Sequence, residues 1–156
     1  MVGWVSGMTD NNVWTDTWET GEDWSGGGAE AKRLPRGSQL GATVYELDPG
    51  DFVVYHFHHA SEELLILLRG VVMLKTANGE RRLEEGDVVH FPVGPDGAHG
   101  VRNDGDSSAR YVMVSTLVSP EVVEYPELKQ LTAQARTRSQ TGERLFVIHD
   151  VATTEE

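Results

Sequence analysis

Two histidines one residue apart, His56 and His58, lie in the stretch VVYHFH, and a carboxylate, Glu63, follows after four residues. The stretch is β-branched and aromatic with no breaker, which is the composition of a strand. Alternate residues of a strand share a face, so both imidazoles look to one side, about 7 Å apart. His59–Glu62 has the length of a hairpin loop, and ELLILL reads as the returning strand. That pairing predicts Glu63 opposite His58 on the same face. Two imidazoles and a carboxylate converging on one point are the first three ligands of a divalent metal site. Glu62 is the competing carboxylate, but one residue earlier it points to the other face. A histidine-bearing strand that merely faces water is the plainer alternative. It sits badly with the five apolar residues Leu64–Leu68 that follow.

The spacing carries more than the residue types. Glycine, five residues, His-x-His, four residues, Glu, six residues, glycine occurs at Gly50, His56, His58, Glu63 and Gly70. It resembles the first signature motif of the cupins. Gly86, Pro92, Gly94, His99 and Asn103 resemble the second motif at every interval but one. Four residues stand between Gly94 and His99 where that motif has two, so PDGA is expected to form a longer loop. FPVGPDGAH together with YHFHHASEELL is similar to a group of small, mostly uncharacterised cupins. The resemblance covers about residues 38–118 and continues more weakly through VSPEVVEYPELK.

This resemblance implies an all-β fold, a double-stranded β-helix or jelly-roll barrel with the metal inside. It implies that His56, His58, Glu63 and His99 hold one divalent ion: iron, manganese, zinc, nickel or copper. For His99 the competing role is a loop-end histidine bonded to nearby backbone. His59 reads as a solvated loop residue, His90 as either a neighbour of the ligands or a surface residue, and His149 as structural. Asn103 is expected to order its turn. Tyr45, Tyr55, Lys75, Arg102, Arg110, Tyr111 and Met113 are the candidates for lining the pocket.

The elements that would position these groups are short. LGATVYEL, VVYHFH, ELLILL, VVMLKT, ERRLEEG, DVVHFP, AHGVRN and ARYVMVSTLV read as about eight strands, separated by turn signals such as Asn78-Gly79. This rhythm is that of a β-sandwich or barrel. Leu64–Leu68 would be apolar on both faces, so its outer face should be covered by the N-terminal arm or by a second copy, and a homodimer is expected. Residues 1–36 read as a polar arm that holds all four tryptophans, Trp4, Trp14, Trp18 and Trp24. It either lies along its own domain or crosses to a partner. Residues 37–118 read as the barrel and 119–156 as an extension packing on it. Within the extension Pro120–Pro126 reads as an extended connector, Glu127–Arg138 as a short helix with Leu128, Leu131 and Ala135 on one face, and Leu145–Val151 as a last strand or packing segment.

Composition removes several function classes. There is no cysteine, so disulfides and thiolate ligands are excluded and imidazole and carboxylate remain. Twenty-five acidic against 13 basic residues give a net charge of −12, which argues against nucleic acid and anionic membrane as partners. No apolar run approaches the length of a membrane span. MVGWVSGMTDNN lacks the basic start and apolar core of a secretory leader, so a cytoplasmic location is expected. The reading is a metal-dependent enzyme, of oxygenase, isomerase or lyase type, acting on a small oxygen-bearing metabolite. No side chain declares itself as the general base; metal-bound hydroxide or a tyrosine would serve. The alternative is a module that captures a sugar or organic acid beside a structural metal without turnover.

Overall fold

Turn chemistry cuts the chain into short strands. Gly50, Gly70 and Gly86 stand at strand ends with φ of 92, 82 and 89°, a region that glycine enters without steric cost. At Gly70 the demand is double, because a Cβ there would lie 2.8 Å from the Ser108 carbonyl oxygen. A computed structural model describes residues 11–19 and 27–152. Its strands are β1 (Glu30–Arg33), β2 (Leu40–Leu47), β3 (Phe52–His58), β4 (Glu63–Arg69), β5 (Val72–Thr76), β6 (Gly79–Leu83), β7 (Val88–Phe91), β8 (His99–Arg102), β9 (Ala109–Thr116), β10 (Glu121–Tyr125), β11 (Gln130–Ala135) and β12 (Leu145–Asp150). One 3₁₀ turn, Pro95–Gly97, precedes β8.

The strands form two sheets. One has the order β1-β2-β9-β4-β7 and the other β12-β11-β10-β3-β8-β5-β6, and every pairing of named strands is antiparallel. The core lies between them. Leu47, Leu65, Leu67, Val89, Phe91, Tyr111 and Met113 come from the first sheet, and Val72, Leu74, Leu83 and Val101 from the second. Alternation along β4 sends Glu63, Leu65 and Leu67 inward and leaves Leu64, Ile66 and Leu68 half-buried on the outside. This is the jelly-roll barrel.

Two expectations are corrected. β3 and β4 do not form a hairpin. β3 pairs with β8 and β10, and β4 pairs with β7 and β9, so His59–Glu62 carries the chain from one sheet to the other. His58 and Glu63 therefore face each other across the barrel rather than along a ladder. The second correction concerns Glu127–Arg138, which is no helix. Val123 pairs with His58 and Glu124 with Phe57, which makes the supposed connector a true strand, β10. A turn closed by Leu128 N–H to Tyr125 O and Lys129 N–H to Pro126 O then lays β11 beside it. An open strand edge with unpaired backbone groups outweighs the weak helical spacing of a short segment. β12 adds to β11 and accords with the last strand read from Leu145–Val151.

The described part of the arm lies on its own subunit. Glu19 N–H bonds Ala31 O at 3.0 Å, and Lys32 Nζ bonds the carbonyls of Asn12 (2.9 Å) and Thr15 (2.5 Å). Arg110, with no exposed surface, donates to Glu46 Oε2 and Asp16 Oδ1, each at 2.5 Å, and to the Val13 carbonyl at 3.0 Å. Trp18 lies against both cations, 5.3 Å from Lys32 Nζ and 4.9 Å from Arg110 Cζ. Trp14 is exposed, and Trp4 and Trp24 lie outside the described residues. Arg110 thus ties β9 to the arm and does not line the barrel interior. Arg110→Ala should lower urea-derived stability by about 1–3 kcal/mol, because the Val13 carbonyl loses its donor and Glu46 is left with Arg69 alone, at 2.9 Å. Asp16→Asn should cost much less, since Asp16 is solvated.

Candidate metal centre

A carbonyl oxygen can only accept, so a histidine nitrogen bonded to one must carry the proton. His56 Nδ1 donates to Val54 O at 2.6 Å, and His99 Nδ1 donates to Gly97 O at 2.8 Å. Both rings therefore present an unprotonated Nε2. His56 and His99 are register partners on β3 and β8, with ring centroids 4.6 Å apart. A bulge between Val53 and His56 re-aims β3 at this point. His58 lies two residues on, its ring 5.3 Å from that of His56. Glu63 enters from the opposite sheet, its Oε1 2.9 Å from His58 Nε2 and 3.4 Å from His99 Nε2.

These approaches are close but not hydrogen-bonded. His58 Nε2, His99 Nε2 and Glu63 Oε1 are all buried without a partner in bonding geometry. Buried polar atoms are costly when unsatisfied, and ligand atoms aimed at a shared point suit a cation that displaces the His58 proton. His56, His58 and Glu63 each place one ligand atom within 4.8 Å of the others. His99 stands just outside that set, stacked on Phe91 at 3.8 Å between centroids, but within reach of Glu63. The donor set, imidazoles and one carboxylate, fits a divalent ion of the first transition row.

The longer loop before His99 does not displace it. Pro95–Gly97 coils into one 3₁₀ turn, closed by Gly97 N–H to Gly94 O, and Gly94 N–H bonds His58 O at 2.8 Å. The two extra residues are absorbed as a bump, and the Gly97 carbonyl is the one that orients His99. A Cβ on Gly97 would lie 1.7 Å from the Pro92 carbonyl oxygen, so the turn accepts only glycine there.

Charge in the centre is polarised. Burial, with His99 beside it, lowers the His56 pKa to about 3. Burial also works to lower that of His58, but Glu121 and Glu63 outweigh it and raise the value to about 10. Burial opposes ionisation of Glu63, yet His58 and His99 hold its carboxyl well below the usual range. Glu121 Oε2 lies 3.8 Å from His58 Nδ1, and Glu121 also accepts from Ala60 N–H at 3.0 Å. A carboxylate behind a ligating imidazole is a recurring arrangement in metal sites.

The remaining candidates separate cleanly. Glu62 is exposed and pairs with His90 Nε2 at 2.9 Å on the outer surface. His59 is exposed beside Glu124, and His149 is exposed on β12. Asn103 is buried and orders its turn by bonds to Leu47 O, Ser107 O and Gly105 N–H. Of the pocket candidates, Tyr45, Tyr111 and Met113 face the interior, with Tyr45 stacked on Tyr111 at 5.0 Å. Arg102 pairs with Glu80 and Asp104, and Lys75 pairs with Glu127 beside the Tyr55 ring, all on the exterior. Burial pushes the phenols of Tyr45, Tyr111 and Tyr125 up, so they hold their protons and suit donation rather than base catalysis. Sequence reasoning missed Glu121 and Tyr125, whose ring lies 5.8 Å from His56. The alternation in EVVEY was the available signal.

The metal-free protein should hold His58 as imidazolium at neutral pH. Its raised pKa adds stability fully present below about 6.5 and lost as pH rises through about 10. Metal uptake at pH 7.5 should release about one proton per ion. Calorimetry in buffers of differing ionisation enthalpy measures this, and no proton release would contradict the charge assignment.

The cupin domain model matches residues 43–115. Tetracenomycin polyketide synthase protein TcmJ of Streptomyces glaucescens is 32% identical over 106 residues, 65% of this chain and 67% of that protein. A sugar phosphate isomerase of the cupin superfamily from Silicibacter pomeroyi superposes with a TM-score of 0.69 at 25% identity, over 79% of this chain and 76% of that one. The polyketide cyclase RemF of Streptomyces resistomycificus superposes at 0.53 and 19% identity, over 60% of this chain and 68% of that one, a likeness of fold. With its two-sheet barrel and both glycine-framed motifs, the chain belongs to the cupin superfamily.

Proposed function

We propose that this chain holds one divalent metal ion through His56, His58, Glu63 and His99 and acts on a small oxygen-bearing metabolite, in an isomerase, lyase or oxygenase type of reaction. The observation that carries this reading is the group of buried donor atoms with no hydrogen bond, His58 Nε2, His99 Nε2 and Glu63 Oε1. Iron, manganese, zinc, nickel and copper all accept three imidazoles and a carboxylate. An ion bound there would supply Lewis-acid polarisation of a substrate oxygen.

The chain's own groups divide the remaining work. Val54 O and Gly97 O hold the protons of His56 and His99 on the outward nitrogens. Glu121 stands where it can hold the proton of His58 Nδ1 and so keep Nε2 free. Tyr125, beside His56, is placed to donate to a substrate oxygen. Phe91 and the core leucines exclude water from the inner wall. The likeness at 25% identity to a sugar phosphate isomerase supports an isomerase within this range. The half-buried outer residues of β4 support a homodimer. A cytoplasmic location and the division into arm, barrel and extension at residues 36 and 118 complete the proposal.

Elemental analysis should find about one ion per chain, and His58→Ala should lose it. A variant that keeps its full metal load would overturn the ligand assignment. Glu121→Gln should retain the site but weaken metal affinity about 10- to 100-fold. Chelation should lower the melting temperature, since an ion at 100 times its dissociation constant adds about 2.7 kcal/mol. Turnover that survives complete metal removal would refute the metal-dependent reading, and ligand capture without turnover would favour the binding module.

A further inference from the structure

A cleft of about 870 Å³ opens from His58 and Glu121 toward the surface, a volume suited to a small metabolite. Five arginines line it: Arg33, Arg36, Arg136, Arg138 and Arg144. Glu121, at the metal end, is the single acidic residue of the lining among the described residues. The chain carries 13 basic residues in all and a net charge of −12, so gathering five of them in one cleft is against the trend of its surface. Arg33 is balanced by Glu19, with Nε to Oε2 at 3.2 Å, and Arg144 lies over the Phe146 ring. Arg36, Arg136 and Arg138 form no salt bridge among the described residues, and Glu19 acts on Arg36 only at longer range. Their mutual repulsion is felt: burial, then Arg33 and Arg136, lower the pKa of Arg36.

The arginines come from two segments outside the barrel motifs. Arg33 and Arg36 lie at and just after β1, Arg136 and Arg138 follow β11, and Arg144 precedes β12. Arg136 is held by Ser38 O and, through its backbone N–H, by Ser119 Oγ. Ser115, Thr116 and Ser119 add hydroxyls to the same wall, and Leu117 and Val118 an apolar strip. Guanidinium groups clustered beside hydroxyls recognise oxyanions by charge-assisted, often bidentate, hydrogen bonds.

We propose that this arginine cleft is an anion subsite that binds a doubly charged oxyanion group, a phosphate ester or paired carboxylates, of the metabolite whose other end reaches the metal centre at His58. The inference rests on the metal-site reading for that second anchor, while the anion subsite stands on the arginines themselves. The substrate class is thereby narrowed to phosphorylated or polycarboxylate metabolites rather than neutral sugars.

The test is calorimetric binding of glucose 6-phosphate, glucose and citrate to the full chain, metal-loaded and metal-free. Glucose 6-phosphate or citrate should bind at least about tenfold tighter than glucose, and the tighter of the two identifies the group. Raising salt from about 50 to about 300 mM should weaken that binding. Arg36→Ala/Arg138→Ala removes side chains that make no hydrogen bond among the described residues, so it should keep the fold and the metal load and weaken anion binding about 10- to 100-fold. Its melting temperature should be unchanged or raised, since a repulsion is relieved. Arg36→Lys/Arg138→Lys should restore part of the affinity. Equal affinity for glucose and glucose 6-phosphate, or unchanged affinity in the alanine variant, overturns the proposal. Arginine-dependent binding that persists without metal upholds the subsite even if the metal assignment fails.

Discussion

Buried polar atoms without a hydrogen-bond partner are what the rest of this molecule is arranged to tolerate. His58 Nε2, His99 Nε2 and Glu63 Oε1 crowd together inside the barrel without forming a hydrogen bond. Groups of this kind would relax into pairs or turn to water if their supports allowed it. They do not relax because each is held from behind: His58 by β3, paired with β8 and β10, His99 by Gly97 O, and Glu63 by β4, paired on both sides. The supports are backbone, in two sheets packed face to face, and so they are stiff. Preorganisation here is the property of a closed β-wall, whose strands cannot slide without exposing Leu65, Leu67 and Phe91.

The two segments outside the signature motifs are part of the same device. β10 lies against β3 and brings Glu121 behind His58 and Tyr125 beside His56. β1 and the loop after it, with the chain following β11, frame the cleft that ends at this centre. Arg110 and Lys32 bind the arm to β9 and β1 by carbonyl and carboxylate contacts. The barrel supplies the metal-type donors, and the flanking segments supply charge and shape around them. A division of labour like this lets one fold serve many substrates.

Much of the site was legible from spacing. His56 and His58 share a face because a strand alternates, and the choice of Glu63 over Glu62 follows from the same rule. Glu62 does lie outside, paired with His90. Asn103 ordering its turn followed from the chemistry of a short amide side chain. The hairpin between β3 and β4 was misread because loop length alone cannot say whether two strands pair or pass to opposite sheets. The helix over Glu127–Arg138 was misread because three apolar residues at helical spacing carry little weight against the edge of an existing sheet. Arg110 was a pocket candidate by residue type and proved to be an anchor for the arm.

The amino-acid sequence by itself determined the local terms: which residues alternate, where glycine must turn the chain, that no thiolate is available, and which imidazoles and carboxylate could share a cation. Only the tertiary structure decided that Glu63 arrives from the facing sheet, that Pro95–Gly97 absorbs two extra residues without moving His99, and that Glu121, Tyr125 and the arginines of two distant segments gather around one centre. The reason is physical. Alternation and turn preference act over a few residues, whereas strand pairing and the burial of a shared core act between segments up to a hundred residues apart, and no short-range rule records their partners.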